Sequence, residues 1–318
     1  MVLKDRIMEK DTRFVVGLGE VLWDQFLKGG KPSRKGRNLG GAPANFAYHA
    51  AQFGHTGLVV SAIGLDRDGD DILSELEAHA LPCHLDRVPF PTGTVDADIT
   101  DPNAPVYTIH TRSAWSHIPF TDELREIAAH TKAVCFGTLA QWGRDSRRTI
   151  RLFLDSCGPD CLKVYDINLR QSYYRKTTIR ESLRRADILK LNEEELPVLV
   201  NLLGHKPAGE ETLCRRLMKA YGLQMVILTK GINGSWVFWK GGRSYQNTPR
   251  VKVASAVGAG DAFTGAFIGT FLNGSPIPDA HAAAVTHSAY VCTRKGAMPE
   301  RSKSLQDRIT HRSRKSPE

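Results

Sequence analysis

Residues 257–267 read Val257-Gly258-Ala259-Gly260-Asp261-Ala262-Phe263-Thr264-Gly265-Ala266-Phe267. The Gly258-Ala259-Gly260 run can turn tightly and bring its backbone close to a ligand. From Ala262 onward the residues read as a helix. Ala262, Gly265, Ala266 and Gly269 recur at i, i+3, i+4 and i+7, a stripe of small side chains on which another element can lie close. A helix start of this kind presents unpaired N–H groups and the positive end of the helix dipole, and so attracts an anion. A carboxylate there, Asp261, could take the proton of an incoming hydroxyl while phosphate charge is held beside it, which is what phosphoryl transfer to an alcohol requires. The same residues also suit a plain helix start, with Asp261 answering the dipole. The run is not a Walker loop, since no Lys-Ser/Thr follows, and it is not G-x-G-x-x-G.

Three further segments carry chemistry. Gly40-Gly41-Ala42-Pro43-Ala44-Asn45 is a glycine turn opening a helix, with Pro43 near its first position. Asn45 then falls on the first turn, as a hydroxyl ligand or a local backbone partner. Asn192-Glu193-Glu194-Glu195 follows an apolar run and sets Asn192 and Glu195 on one face. The pair suits water-mediated Mg²⁺ binding or a helix capping box. Thr229-Lys230-Gly231-Ile232-Asn233-Gly234 ends another apolar run, as a nucleotide-facing turn or an ordinary β-turn.

Around these segments, short apolar runs alternate with helical ones. Strands are expected at 14–18, 58–63, 133–136, 162–167, 187–191 and 224–229. Helices are expected at 43–53, 69–80, 121–130, 145–156, 177–185 and 210–221, with Thr121 as the capping hydroxyl of one. The alternation predicts an α/β fold, a mostly parallel sheet with helices on both faces. Two stretches break it: 24–40, rich in Gly, Lys, Arg and Pro, and 86–112, whose TVDADI and VYTIHTR runs alternate around Asp101-Pro102-Asn103. The second suits a small antiparallel sheet with a turn at 101–104, a candidate lid inserted in the α/β domain. Residues 235–247 read as a hairpin through Gly241-Gly242. The polar, basic tail 301–318 reads as disordered.

At 318 residues, length alone allows two domains or one large α/β domain. With 41% apolar and 24% charged residues, a disordered chain or a fibre is excluded. The net charge is +9, of which residues 300–318 supply +3. That balance favours anionic partners such as nucleotides, sugar phosphates or nucleic acid, or is a solvated tail on a soluble surface. Cysteines 83, 135, 157, 161, 214 and 292 form no C-x-x-C, so neither a zinc site nor a disulfide framework is expected, and the cytoplasm is the expected location. The first dozen residues hold no apolar signal core, and the most apolar stretch, 253–277, is broken by Asp261 and five glycines, so no membrane span is expected.

In order and spacing, the four motifs resemble the ribokinase-like sugar kinases, the phosphofructokinase-B family, over about 13–300. Gly40–Asn45 is similar to the family's G-G-x-x-x-N, Asn192–Glu195 to N-x-x-E, Thr229–Gly234 to T-x-G-x-x-G, and Gly258–Asp261 to G-A-G-D. Gly19-Glu20-Val21-Leu22-Trp23-Asp24 and Tyr165-Asp166-Ile167-Asn168-Leu169-Arg170 look most like fructokinases. The resemblance implies a kinase using ATP and Mg²⁺ on a sugar hydroxyl, D-fructose first, with 2-keto-3-deoxygluconate, ribose or a nucleoside as alternatives. It makes Asp261 the base and the amides of Gly258, Ala259 and Gly260 the anion hole. It places Asp24, Gly41 and Asn45 on sugar hydroxyls, with Asn168 and Arg170 near sugar and phosphates. Arg170 would meet phosphate or pair with Asp166. Asn192 and Glu195 would organise Mg²⁺ and phosphate, and Thr229, Gly231 and Gly234 would contact ATP. For a nucleoside acceptor, Tyr107 and Trp115 could supply a stacking pocket, packing within the protein being the favoured reading of both. The resemblance also implies one kinase domain over 13–300 with a small β lid formed by segments near 24–40 and 86–112, and a homodimer through that lid. One departure stands out: Ser255 occupies a position where many members carry an Asp that helps bind a monovalent cation, which counts against K⁺ activation. The rival of another class is a kinase-like protein that only binds, using its basic tail.

Overall fold

The structure, a computed structural model, describes residues 12–28, 31–32, 36–98 and 106–302. Phe14–Leu18 is buried at every position and forms the inner strand of a nine-stranded sheet. On one side it pairs in parallel with Thr56–Gly64, which pairs with Cys83–Val88 at the edge. On the other side the order continues through Thr131–Phe136, Leu162–Asp166, Ile188–Asn192 and Met225–Thr229, all parallel, and ends in the antiparallel hairpin of Ser235–Trp239 and Gly242–Gln246. Helices cover both faces. Phe14, Val16 and Leu18 join Phe136, Ile150 and Phe153 in one core, while Val15 faces Phe46, Phe263 and Phe267 in the other. Full burial on two faces is why these strands read as continuous apolar runs.

The strand order reverses at Phe14–Leu18: the chain first builds outward on one side through Thr56–Gly64 and Cys83–Val88, then returns to the other side of this strand with Thr131–Phe136. Sheets of this kind bind ligands in the crevice at the carboxyl ends of the strands flanking such a switch point. Helix Ala42–Ala51 lies directly over that strand: a Cβ on Gly17 would fall 1.9 Å from the Pro43 carbonyl oxygen. Helix Ala259–Leu272 packs against the same helix through its small residues. A Cβ on Gly265 would come within 2.8 Å of both His49 Cβ and the Phe46 oxygen, and one on Gly269 within 2.8 Å of Phe53 Cβ.

Three residues after the switch-point strand, Leu22–Lys28 begins a second, smaller sheet. It pairs antiparallel with Lys31–Pro32 and Asn38–Gly40 and in parallel with Gly93–Asp98, which pairs antiparallel with Val106–Ile109. Arg37 ties this sheet to helix Arg67–Ala78: it stacks on Trp23, with 3.9 Å to the ring centroid, and pairs with Asp68 at 2.6 Å and with Asp71. The second lid segment is shorter than the sequence reading of 86–112. Residues 86–88 belong to the large sheet, in register with Ala62–Gly64, because an outer strand exposed on one face alternates just as a lid strand does. The Asp101-Pro102-Asn103 turn and the tail from 303 lie outside the described residues. Thr121 caps its helix as expected, accepting from the Leu124 amide at 3.1 Å. All six cysteines are free. Among the described residues no helix is long and apolar enough to cross a membrane.

Candidate active site

At the carboxyl ends of Phe14–Leu18, Thr131–Phe136 and Leu162–Asp166 lies a cleft of about 290 Å³, including space open to solvent. Glu20, Asp166, Asn168 and Asp261 give it its polar groups, over an apolar floor that includes Pro43 and Phe136. Asp261 stands on the first turn of Ala259–Leu272, which no side chain caps. The turn into that helix needs glycine: Gly258 has φ 76°, and a Cβ there would sit 2.6 Å from that of Ala297. Nδ2 of Asn45 donates to Oδ2 of Asp261 at 2.8 Å, and Oδ1 of Asn45 is buried without a hydrogen-bond partner. Burial, with Asp166 nearby, pushes the Asp261 carboxyl up to about 6, against the Asn45 hydrogen bond and the charges of Lys190 and Arg170. A carboxyl so placed is poised to take up and release a proton near neutral pH.

Beneath the glycine turn sits a charge that the sequence reading missed. Lys190, on the otherwise apolar strand Ile188–Asn192, is buried and pairs with Asp166 at 3.1 Å. Its Nζ lies 3.2 Å from where a Gly260 Cβ would stand. Burial works against its charge, but Asp166, Glu195 and Asp261 outweigh it, and the amine is held firmly protonated. A lysine inside an apolar strand was the available signal, since lysine is almost never buried unless paired. Asp166 is paired with Lys190, and Arg170 is exposed, with its charge acting on Asp24, Glu20 and Asp261.

Asn192 and Glu195 form a complete capping box. The Asn192 Oδ1 accepts from the Glu195 amide at 2.8 Å and the Glu194 amide at 2.9 Å, and Glu195 Oε2 accepts from the Asn192 amide at 2.8 Å. Oε1 of Glu195 accepts the Leu169 amide at 2.8 Å, tying this helix start to the loop that carries Asn168 and Arg170. Asn192 pairs in register with Thr229, so the two motifs sit side by side at the carboxyl ends of adjacent strands. Gly231 and Gly234 both take positive φ, 51° and 86°, and a Cβ on Gly234 would meet the Gln246 oxygen at 2.5 Å.

In the small sheet, burial pushes the Asp24 carboxyl up to about 6, with Arg170 pulling it down. Asp24 closes over Gly40, where a Cβ would lie 2.4 Å from Oδ2. Gly41 takes φ 116° and passes over the Glu20 carbonyl. Asn168 is left-handed, φ 37°. Glu20, which no sequence motif singles out, also lines the cleft, and burial pushes its carboxyl up to about 7. Of the two aromatics considered for stacking, Trp115 is wholly buried in the core and only Tyr107 is exposed. Ser255, at the departure noted above, turns its hydroxyl to the Val257 amide at 3.2 Å.

The mostly parallel sheet with helices on both faces, the separate small sheet and the switch-point cleft form an α/β fold of ribokinase-like architecture. Residues 25–303 match the family described as pfkB family carbohydrate kinase. The chain belongs to that family. It is 27% identical over 308 residues to an ATP-dependent 6-phosphofructokinase of Thermoanaerobacterium thermosaccharolyticum, covering 92% of each chain. It is 23% identical over 279 residues to a 5-dehydro-2-deoxygluconokinase of Bacillus thuringiensis, covering 83% of each. Among solved structures, fructokinase from Xylella fastidiosa with bound ATP superposes with a TM-score of 0.80 at 18% identity, covering 94% of this chain and 99% of that one.

Proposed function

We propose that the protein transfers the γ-phosphoryl group of ATP to a hydroxyl of D-fructose. The observation that carries this reading is the position of Asp261: in the cleft, hydrogen-bonded by Asn45, at the start of an uncapped helix. Asp261 accepts the proton of the attacking hydroxyl. The amides of Gly258 and Gly260, joined by that of Ala259 on release from the Ala256 carbonyl to which it donates at 3.3 Å, hold the negative charge of the group in transfer, with the Lys190 charge beneath them. Thr229, Gly231 and Gly234 line the nucleotide, whose close approach the absence of side chains at the two glycines allows. Asp24, Gly41, Asn45 and Asn168 hold the sugar, and Arg170 faces sugar and phosphates.

Among the described residues no three ligating side chains cluster to cage a metal, so Mg²⁺ would arrive on the nucleotide. Asn192 and Glu195 fit it through water, each Glu195 oxygen keeping a lone pair beyond the amide it accepts. When bound, the metal supplies neutralisation of phosphate charge. The 254–257 stretch fits a monovalent cation poorly: it holds no carboxylate, and the Ser255 hydroxyl is engaged with its own backbone. Turnover is therefore independent of K⁺. The enzyme works in the cytoplasm. It dimerises through the small sheet, whose outer strand exposes Val106 and Tyr107.

A second acceptor class, a sugar bearing phosphate or carboxylate, is favoured by one observation: exposed Arg170 forms no ion pair among the described residues while its charge reaches Asp24. The test is ADP release with Mg·ATP and D-fructose, fructose 6-phosphate, 2-keto-3-deoxygluconate, ribose and adenosine, with and without K⁺. Selective, K⁺-independent turnover of D-fructose is the expected result. Selective turnover of an anionic acceptor replaces the sugar assignment, and no turnover of any acceptor by folded, ATP-binding protein overturns the reading.

A further inference from the structure

Glu20 directly follows Gly19 beyond the switch-point strand, with 4% of its surface exposed. It lines the same cleft as Asp261, Asp166 and Asn168. Its own amide and that of Ala140 support the carboxyl, but Oε2 is buried with no hydrogen-bond partner. The charges facing it oppose each other: Arg170 attracts, Asp261 repels. A buried acceptor that nothing in the chain satisfies is costly, and a Gln or an apolar residue would fill the space with less strain on stability. Such costs are kept at functional sites, where a ligand supplies the missing partner. The missing partner here is a donor, and the cleft that holds it is where Asp261 faces the reacting hydroxyl.

We propose that Oε2 of Glu20 binds a second hydroxyl of the acceptor, next to the one that faces Asp261, and so selects sugars carrying both hydroxyls at that spacing. Glu20 is thereby a specificity-determining residue. The inference rests on the acceptor being a sugar bound in this cleft, as proposed above. It accounts for a carboxylate that proton transfer at Asp261 leaves unused. A site built to hold a hydroxyl discriminates strongly against the analogue lacking it, because its own buried group is then left unpaired.

The test compares wild type, Glu20→Ala and Glu20→Gln on D-fructose, on fructose 6-phosphate and on the 1-, 3- and 4-deoxy forms of whichever is turned over. For the parent sugar, Glu20→Ala raises KM by roughly 10- to 100-fold, the range for one lost hydrogen bond to a charged group, while kcat falls less. For one deoxy sugar, wild type and Glu20→Ala agree within about twofold, since the contact is already absent. An equal penalty on every analogue, or none, overturns the proposal. Should Glu20→Ala fail to fold, the nearly isosteric Glu20→Gln is read instead: a KM loss confined to the same hydroxyl supports the contact, and a uniform or absent loss overturns it. Calorimetric titration of D-fructose and fructose 6-phosphate without nucleotide separates the two readings. Equal sugar binding by wild type and variant overturns the Glu20 assignment alone, whereas no sugar binding and no turnover by wild type overturns both.

Discussion

Nδ2 of Asn45 donates a 2.8 Å hydrogen bond to Oδ2 of Asp261 across 216 positions of sequence. Two glycine-led helices, started by Gly41 and Gly258, meet at this bond. It orients one oxygen of the carboxylate and leaves the other for a substrate proton. Asp261→Asn keeps the shape and removes the base. Its kcat is expected to fall by at least about 100-fold, with thermal stability and ATP affinity retained. Near-normal turnover in steady-state assays would remove Asp261 from the mechanism.

The raised Asp261 carboxyl sets a pH signature with opposite signs for activity and stability. The base works ionised, so kcat/KM for the sugar rises with pH through about 6 and levels off above it. Stability runs the other way. The folded-state value lies above the unfolded 3.8, so the native state holds the proton longer. That contribution is complete below the unfolded value and is lost as pH rises through about 6. Asp261→Asn should therefore gain melting temperature relative to wild type as pH rises from about 4 to 7. A difference that stays flat over that window would show that the carboxyl is not displaced by folding.

Lys190 and Asp166 are both buried and 3.1 Å apart. Lys190→Met strands Asp166 and removes the cation that offsets Glu195 and Asp261. The expected cost is about 3–5 kcal/mol, read by chemical denaturation. The double variant Lys190→Met/Asp166→Leu should recover most of that stability while remaining nearly inactive, because the charge under the glycine turn is gone. Normal activity in the double variant would limit the pair to a structural role.

Gly265 tests the close helix contact. Its Cβ would lie 2.8 Å from His49 Cβ and the Phe46 oxygen. Gly265→Ala is expected to cost about 1–3 kcal/mol by overpacking. It also moves Asp261 relative to Asn45, so kcat should fall more than KM rises. A stability loss with unchanged kcat would show that the helices reseat without disturbing the bond.

Much of this site was legible because its parts are local. Gly40–Asn45, Asn192–Glu195, Thr229–Gly234 and Gly258–Asp261 each announce a turn or a helix start by backbone chemistry, and each is found at such a place. Alternation of apolar and helical runs was enough for the doubly covered sheet. What escaped depends on burial, which spacing does not encode. Lys190 reads as one polar residue within ILKLN, and its value comes from Asp166 on the neighbouring strand. Glu20 reads as the residue after a glycine, and only the packed cleft leaves its oxygen without a partner. Asn192 and Glu195 were read as either metal-organising or capping. The structure displays the capping box, and the metal reading remains a proposal.

The switch-point strand divides the labour of the enzyme as well as the direction of its sheet. On one side lie the small sheet with Asp24 and the turn with Gly41; on the other, four strands away, lies the Thr229–Gly234 turn. In the proposed reaction the first wing meets the acceptor and the second the nucleotide, and Asp261 stands between them on a helix packed to the middle. Evolution can then rework one wing while the other is left alone. A lineage built on this plan is free to change the sugar it phosphorylates by substitutions near residues 20–41, without having to reinvent its use of the phosphate donor.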